Sequence, residues 1–183
     1  MQFYDVIKER KSIKNFKNTP IEKNKLDRIL TATTMSPSWK DNKCFKFILV
    51  DNKTQKQELS MSVMNNVDSA SNSITQAPLV AVVVADPSSS GSIDNKDLYL
   101  VDSGIAMEHL VLACTNEGYG TCWIASLNED KIKKTLCIPD KYRVVAMSPI
   151  GEYSDYDDNQ SNKHITNDYV CLNKWDSPYT SIH

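Results

Sequence analysis

Glycine is scarce in this chain, with five among 183 residues. No G-x-G-x-x-G follows a strand-like run and no G-x-x-x-x-G-K-[ST] occurs, which counts against a Rossmann dinucleotide site and a P-loop. Cysteine is odd in number. Cys44, Cys114, Cys122, Cys137 and Cys171 include no C-x-x-C pair, so neither a secreted disulfide framework nor a four-cysteine zinc site is expected. His109, His164 and His183 lack metal-ligand spacing, and there is no G-x-S-x-G nucleophile elbow. A basic surplus is missing too: Lys+Arg is 21, Asp+Glu is 23, the net charge is -2 and the pI is near 5.9. Nucleic acid is therefore not an expected partner. The N-terminal MQFYDVIKERK has no apolar signal region, and the longest apolar run, Leu79–Ala85, is too short to span a bilayer. A cytoplasmic protein with no membrane partner is the expectation.

What remains is an ordinary globular composition, 40% apolar and 24% charged, in a chain of one domain's length. Residues 1–183 read as a single domain. Helical spacing of Phe3, Val6, Ile7 and Arg10 predicts a helix over 2–10. Leu26, Ile29, Leu30 and Thr33 predict a second over 22–34, with Pro20 suited to its first turn. A third is predicted over about 54–64, and residues 65–78 read as weak helix or loop. Strands are predicted at 45–50, 79–85, 119–125 and 143–151. LVAVVVA at 79–85 is apolar throughout, as in a strand covered on both faces. The Ser- and Asp-rich 86–97 stretch reads as a surface loop. The strongest helix, about 98–117, has little polar face, which places it centrally or at a subunit interface. Asn128 is the expected N-cap of a short helix over 128–137. Residues 152–162 are acidic and polar, and the tail from Ile165 has no helical period. Strands alternate with helices, but some connections are too short for parallel crossovers. An α+β fold is expected, a central mixed β-sheet flanked by helices with an extended C-terminal arm.

Three segments carry candidate chemistry. Arg10, Lys11, Ser12 and Lys14 pack cations and a hydroxyl into one stretch. Extended backbone would turn Arg10, Ser12 and Lys14 to one side as a phosphate cradle. On charge alone the same residues read as a solvated basic face. Pro37, Ser38, Trp39, Asp41 and Asn42 join a helix to a strand and mix polar groups with an indole. Trp123, Ile124 and Ala125 end a strand, where backbone N–H groups can face a ligand. Cys44 and Cys122 have nothing adjacent to activate them and read as small buried residues. His109 reads as a hydrogen-bonded core histidine. No side chain stands out as catalytic and no metal site is expected, so difficult chemistry would fall to a bound cofactor.

In this order the segments resemble the nitroreductase family of FMN-dependent oxidoreductases. Arg10-Lys11-Ser12-Ile13-Lys14 is similar to its RRSIR-type motif. SPSWKDNKCFKF at 36–47 is similar to its PSxxNxQPW-type segment. Asp102–His109 followed by GYGTCWIA resembles its central helix and G-T-C-W-I-G strand. The resemblance implies a homodimer with tightly, non-covalently bound FMN at the subunit interface. Arg10, Ser12 and Lys14, with Lys11 beside them, would hold the phosphate, joined by Lys163 and His164. Pro37, Ser38 and Trp39, from the other subunit, would line the flavin. Trp123, Ile124 and Ala125 would pass its edge. Asp41 stands where the family usually has a flavin-contacting Asn, and Asn42 follows it, so either would contact the ring.

The implied activity is ping-pong transfer from NADH or NADPH, through FMN, to a small-molecule acceptor such as a nitroaromatic or quinone. Two alternatives stand beside it: a non-catalytic FMN-binding dimer for storage or sensing, and flavin-dependent reductive dehalogenation.

Overall fold

The computed structural model describes residues 1–64, 68–153 and 169–178. Among them, four strands form the main sheet: β1 (Phe45–Val50), β2 (Leu79–Ala85), β5 (Gly120–Thr121) and β6 (Arg143–Gly151). Their order is β1-β2-β6-β5 and each neighbouring pair is antiparallel. The mixed character comes from an isolated parallel bridge between Ser12 and Thr121, which brings the N-terminal segment to the edge beside β5. β1, β2 and β6 keep the predicted boundaries.

Every residue of β2 is buried, because both faces of that strand are covered. Ala81, Val83 and Ala85 face a core built with α6 (Leu98–Asn116), through Ala106, Met107 and Leu110. Val80, Val82 and Val84 face a second core with Leu59, Ile74 and Ile132. Those three come from α3 (Lys53–Ser60), α4 (Asp68–Gln76) and α7 (Glu129–Leu136). The 65–78 stretch is therefore helical from Asp68. Asn128 caps α7 as expected, its side chain accepting from the Lys131 N–H.

α6 packs against α2 (Lys23–Thr34) on its other side. Among the described residues it is the one helix long and apolar enough to cross a membrane, yet here it forms the centre of a protein core. His109 on α6 is half-buried, with Nδ1 3.1 Å from the Ala32 carbonyl of α2. α2 starts at Lys23, three residues past Pro20, because the Glu22 N–H donates to the Tyr119 hydroxyl and holds Glu22 extended.

Three expectations change in detail. The 119–125 strand is laddered only at Gly120–Thr121, and the pairing resumes at Ile124 opposite Met147. In that register Cys122 falls opposite Pro149, which has no N–H to give. The Cys122 carbonyl therefore has no ladder donor there, while the Cys122 N–H donates to the buried Ser148 hydroxyl at 3.3 Å, which in turn donates to the Pro149 carbonyl at 3.1 Å. The 86–97 loop contains one helical turn, α5 (Pro87–Ser90), and a hairpin of β3 (Ser92–Ile93) and β4 (Lys96–Asp97). Asp94 and Asn95 supply the positive φ angles that such a two-residue hairpin turn requires. Finally, α1 (Phe3–Glu9) buries only Val6 of its predicted inward face, leaving Phe3, Tyr4 and Ile7 exposed. Of the C-terminal arm, residues 169–178 contain no helix.

Asp86 closes this region electrostatically. Hydrogen bonds from Ser88, then the Lys141 ammonium at 3.0 Å, hold its carboxyl down at about 2 against an ordinary 3.8. A depressed pKa means that ionised Asp86 stabilises the fold above about pH 4, and that the contribution fades as pH falls through about 2. Denaturant unfolding of wild type and Asp86→Asn at stepped pH checks this. The stability gap should be constant above about pH 5 and close between about pH 4 and pH 2.

Candidate functional site

The cation-rich segment is fixed by its apolar residues. Ile13 and Phe16 are buried, so Ser12 and Lys14 point outward, and Arg10 is half-buried. The Ile13 N–H donates to the Thr121 carbonyl at 2.8 Å, and Phe16 bridges to Tyr153. This docking needs a glycine: a Cβ on Gly120 would lie 2.6 Å from Ile13 Cγ1. The segment thus lies along β5. Arg10 and Lys14 come close enough to Cys122 to favour its thiolate, although burial dominates and pushes that thiol up. Lys11 is half-buried in the same strip.

Just beyond this edge, the interrupted ladder sets out three consecutive residues differently. Trp123 is 41% exposed, Ile124 is buried and Ala125 is exposed. Ile124 exchanges both backbone hydrogen bonds with Met147 at 2.9 Å. Its side chain serves the core, so only its neighbours can face a ligand directly. The Trp123 ring passes over α6 at Gly104, where a Cβ would sit 3.9 Å from its edge.

The 37–43 segment meets the same stretch of α6 from another direction. The Trp39 N–H donates to Asp102 Oδ1 at 2.8 Å, and the Trp39 indole is also 41% exposed. Trp39–Asp41 forms a single distorted 3₁₀ turn. Lys40, Asp41 and Lys43 have φ of 52°, 55° and 44°, in the left-handed region. For non-glycine residues this costs on the order of 1–2 kcal/mol each. Hydrogen bonds offset that cost. Ser38 Oγ accepts from the Lys43 N–H at 2.9 Å, and Asn42 Nδ2 donates to the Ser89 carbonyl at 2.9 Å. Asn42 is therefore committed to α5. The Asp41 carboxylate is exposed, with Lys43 Nζ 4.0 Å away. Pro37 is exposed and Ser38 half-buried.

Asp102 is the residue that sequence reasoning passed over. Only 2% exposed, it also accepts from Ser90 Oγ at 2.9 Å and Cys44 Sγ at 3.4 Å. The available signal was a carboxylate within the apolar run YLVDSGIAM. Burial, reinforced by the bond to Asp102, pushes the Cys44 thiol up to about 11, with Ser90 opposing. Cys44 and Cys122 are thus inert buried residues, as expected. Lys163 and His164 lie outside the described residues. Among the described residues no cluster of His, Cys, Asp or Glu could hold a metal ion. A cleft of about 710 Å³ lies between residues 18–26 and the α3 and α4 helices, and one of about 720 Å³ lies between α3 and α4; neither is lined by Trp39, Trp123 or residues 10–14.

The nitroreductase family model matches residues 7–152. A nitroreductase family protein of known structure from Clostridium novyi NT is 44% identical, with a TM-score of 0.83 over 98% of this chain and 97% of that one. An FMN-dependent nitroreductase from Clostridium difficile R20291 is 27% identical, with a TM-score of 0.79 over 94% of this chain and all of that one. A protein from Methanothermobacter thermautotrophicus, provisionally named NADH dehydrogenase/NAD(P)H nitroreductase, is 26% identical over 96% of this chain and 88% of its own. This chain belongs to the nitroreductase family, and its fold is that of the family.

The site's thiols yield a direct check. Alkylation of the native protein at about pH 8 should mark exposed Cys137. Buried Cys44, Cys114 and Cys122 should remain unmarked until the protein is denatured. Peptide mass spectrometry reads the pattern, and early labelling of Cys44 would contradict the buried Asp102 contact.

Proposed function

We propose that this protein is an FMN-dependent oxidoreductase that uses NADH or NADPH to reduce small electrophiles such as nitroaromatics or quinones. One observation carries the reading: the docking of residues 10–14 on Thr121 sets two cations beside the strand end that presents the Trp123 indole. A flavin mononucleotide needs that combination, cations for a phosphate and aromatic walls for a ring.

Arg10 offers a planar fork, Lys14 a point charge and Ser12 a short hydroxyl contact to the phosphate. Lys11 adds to the positive field there; Lys163 and His164, which lie outside the described residues, are assigned to it by the family resemblance alone. Trp39 and Trp123 supply apolar faces for the ring system. Ala125, exposed at the strand end, brings backbone to its edge, and Ile124 holds that backbone in place through Met147. With Asn42 held by Ser89, Asp41 is the member of the pair available to the ring. A carboxylate there opposes negative charge on reduced flavin and lowers its potential.

When bound, FMN would supply the redox chemistry, hydride acceptance from a nicotinamide and electron transfer to the acceptor. The chain's own residues position, shield and tune it, and none of them is needed as a general acid or base. A ping-pong order follows if donor and acceptor use the same exposed face in turn.

We further propose that the whole chain acts as one FMN-binding domain and that a second copy completes the site. Leu100 and Val101 on α6 and Phe3, Tyr4 and Ile7 on α1 are exposed apolar residues on two helices that pack together. An isologous contact over these helices would bury them. In that dimer Pro37, Ser38 and Trp39 of one copy line the flavin whose phosphate the other copy holds. The five unpaired cysteines favour a reducing cytoplasm.

The test is the visible absorption spectrum of the purified, FMN-supplemented protein before and after anaerobic NADH or NADPH. A flavin spectrum that bleaches is the expected result. A flavin spectrum unchanged by either nucleotide would replace turnover with FMN storage or sensing, and no flavin uptake would overturn the reading altogether. Arg10→Ala should weaken FMN binding by about 1.5–3 kcal/mol through loss of a charge-assisted phosphate contact. Fluorescence titration measures it, and unchanged affinity would remove the phosphate assignment.

A further inference from the structure

We propose that Asp102 is a positioning residue: by accepting the Trp39 N–H it fixes the 38–43 segment in the shape that receives the flavin, and it ties that segment to α5. The inference rests on the FMN reading of the site.

Burying a carboxylate in an apolar core is costly unless donors converge on it, whereas an aliphatic side chain would fill the same place without that demand. Asp102 has its donors. They come from three separate pieces of chain: the Trp39 amide, the Cys44 thiol at the entry to β1, and the Ser90 hydroxyl at the end of α5. The first is the informative one. Trp39 begins a 3₁₀ turn, and the first N–H groups of a helical turn have no partner within it. Ser38 stands at the N-cap, but its side chain makes no capping bond there and accepts from the Lys43 N–H instead. Asp102 does the capping from another helix.

That division of labour explains how the segment holds its shape. Three residues with positive φ make the free segment prone to relax. Ser38 closes the turn from inside, at Lys43. Asp102 pins its start to α6, and the bond from Asn42 to the Ser89 carbonyl pins its far end to α5. The Ser90 hydroxyl on the second Asp102 oxygen joins the two pins, so the segment and α5 are referred to one carboxylate. The outcome is an exposed Trp39 indole on a backbone fixed from behind. A wall ordered before the ligand arrives loses less entropy on binding than one that must be ordered by it.

The isosteric variant separates this role from a demand for negative charge. Asp102→Asn keeps a carbonyl oxygen for the Trp39 N–H, and its amide can donate to the Ser90 hydroxyl, reversing that bond. Asp102→Ala keeps neither. Asp102→Leu, which fills the volume, serves where the Ala variant does not fold.

The experiment uses the FMN-loaded protein, with FMN affinity and amide hydrogen exchange read in parallel. Asp102→Ala or Asp102→Leu should raise the FMN dissociation constant about tenfold or more and speed exchange in peptides covering 37–43, leaving β2 and β6 protected. Asp102→Asn should stay within about threefold of wild type on the first measure and match it on the second. Wild-type affinity and wild-type exchange in the Ala or Leu variant would overturn the proposal. So would an equal loss in the Asn variant, because charge rather than positioning would then be at work. A wild-type protein that takes up no FMN would overturn the site reading as well, whereas wild type and the Ala variant binding alike would overturn only the role of Asp102.

Discussion

The burial of α6 is the constraint on which the candidate site depends. This helix is apolar along most of its 19 residues, so water is a poor neighbour on nearly every side. The sheet covers one side through Ala81, Val83 and Ala85, and α2 covers another. Asp102 is an exception to the apolar surface, and it is satisfied by donors drawn in from the 38–44 and 87–90 regions. Where α6 ends, Gly118 adopts a φ of 85°, which a side chain would resist, and turns the chain directly into β5. The helix thus sets the places of both indoles, Trp39 through Asp102 and Trp123 across Gly104.

A second device acts at the sheet edge. Pro149 cannot donate, so the β5–β6 ladder lapses opposite Cys122, and backbone and indole are offered outward at Trp123. On the other side of β5, Ile13 occupies the space that only a glycine at 120 leaves open. One missing N–H and one missing Cβ therefore place the cation strip and the strand end side by side. Charge density alone does not distinguish residues 10–14 from an ordinary basic surface, and the proposed phosphate role rests on this docking.

Sequence patterns made the sheet strands β1, β2 and β6 legible because those strands are held by burial, which leaves a continuous apolar record. The central helix was legible for the same reason, and so was the cap at Asn128, where one side chain reaches a backbone three residues on. The rest depends on partners far away in the chain. The hairpin at 92–97 and the commitment of Asn42 to Ser89 leave no local period. Asp102 drew no reading of its own from the sequence, because its meaning comes from residues 63, 58 and 12 positions away. The apolar face of α1 was read correctly as a pattern, yet within one chain it covers little beyond Val6. Periodicity records that a face is to be buried and not which molecule buries it.

The claim at the centre of this account is that the strip at 10–14 recognises a phosphate attached to a flavin. Calorimetric titration of the flavin-free protein with FMN and with riboflavin, which share the ring and differ in the phosphate, tests it most directly. The account predicts that FMN binds at least about a hundredfold more tightly, as expected for two or more charge-assisted contacts, and that raising the salt concentration narrows the difference. Equal affinity for the two flavins would contradict it.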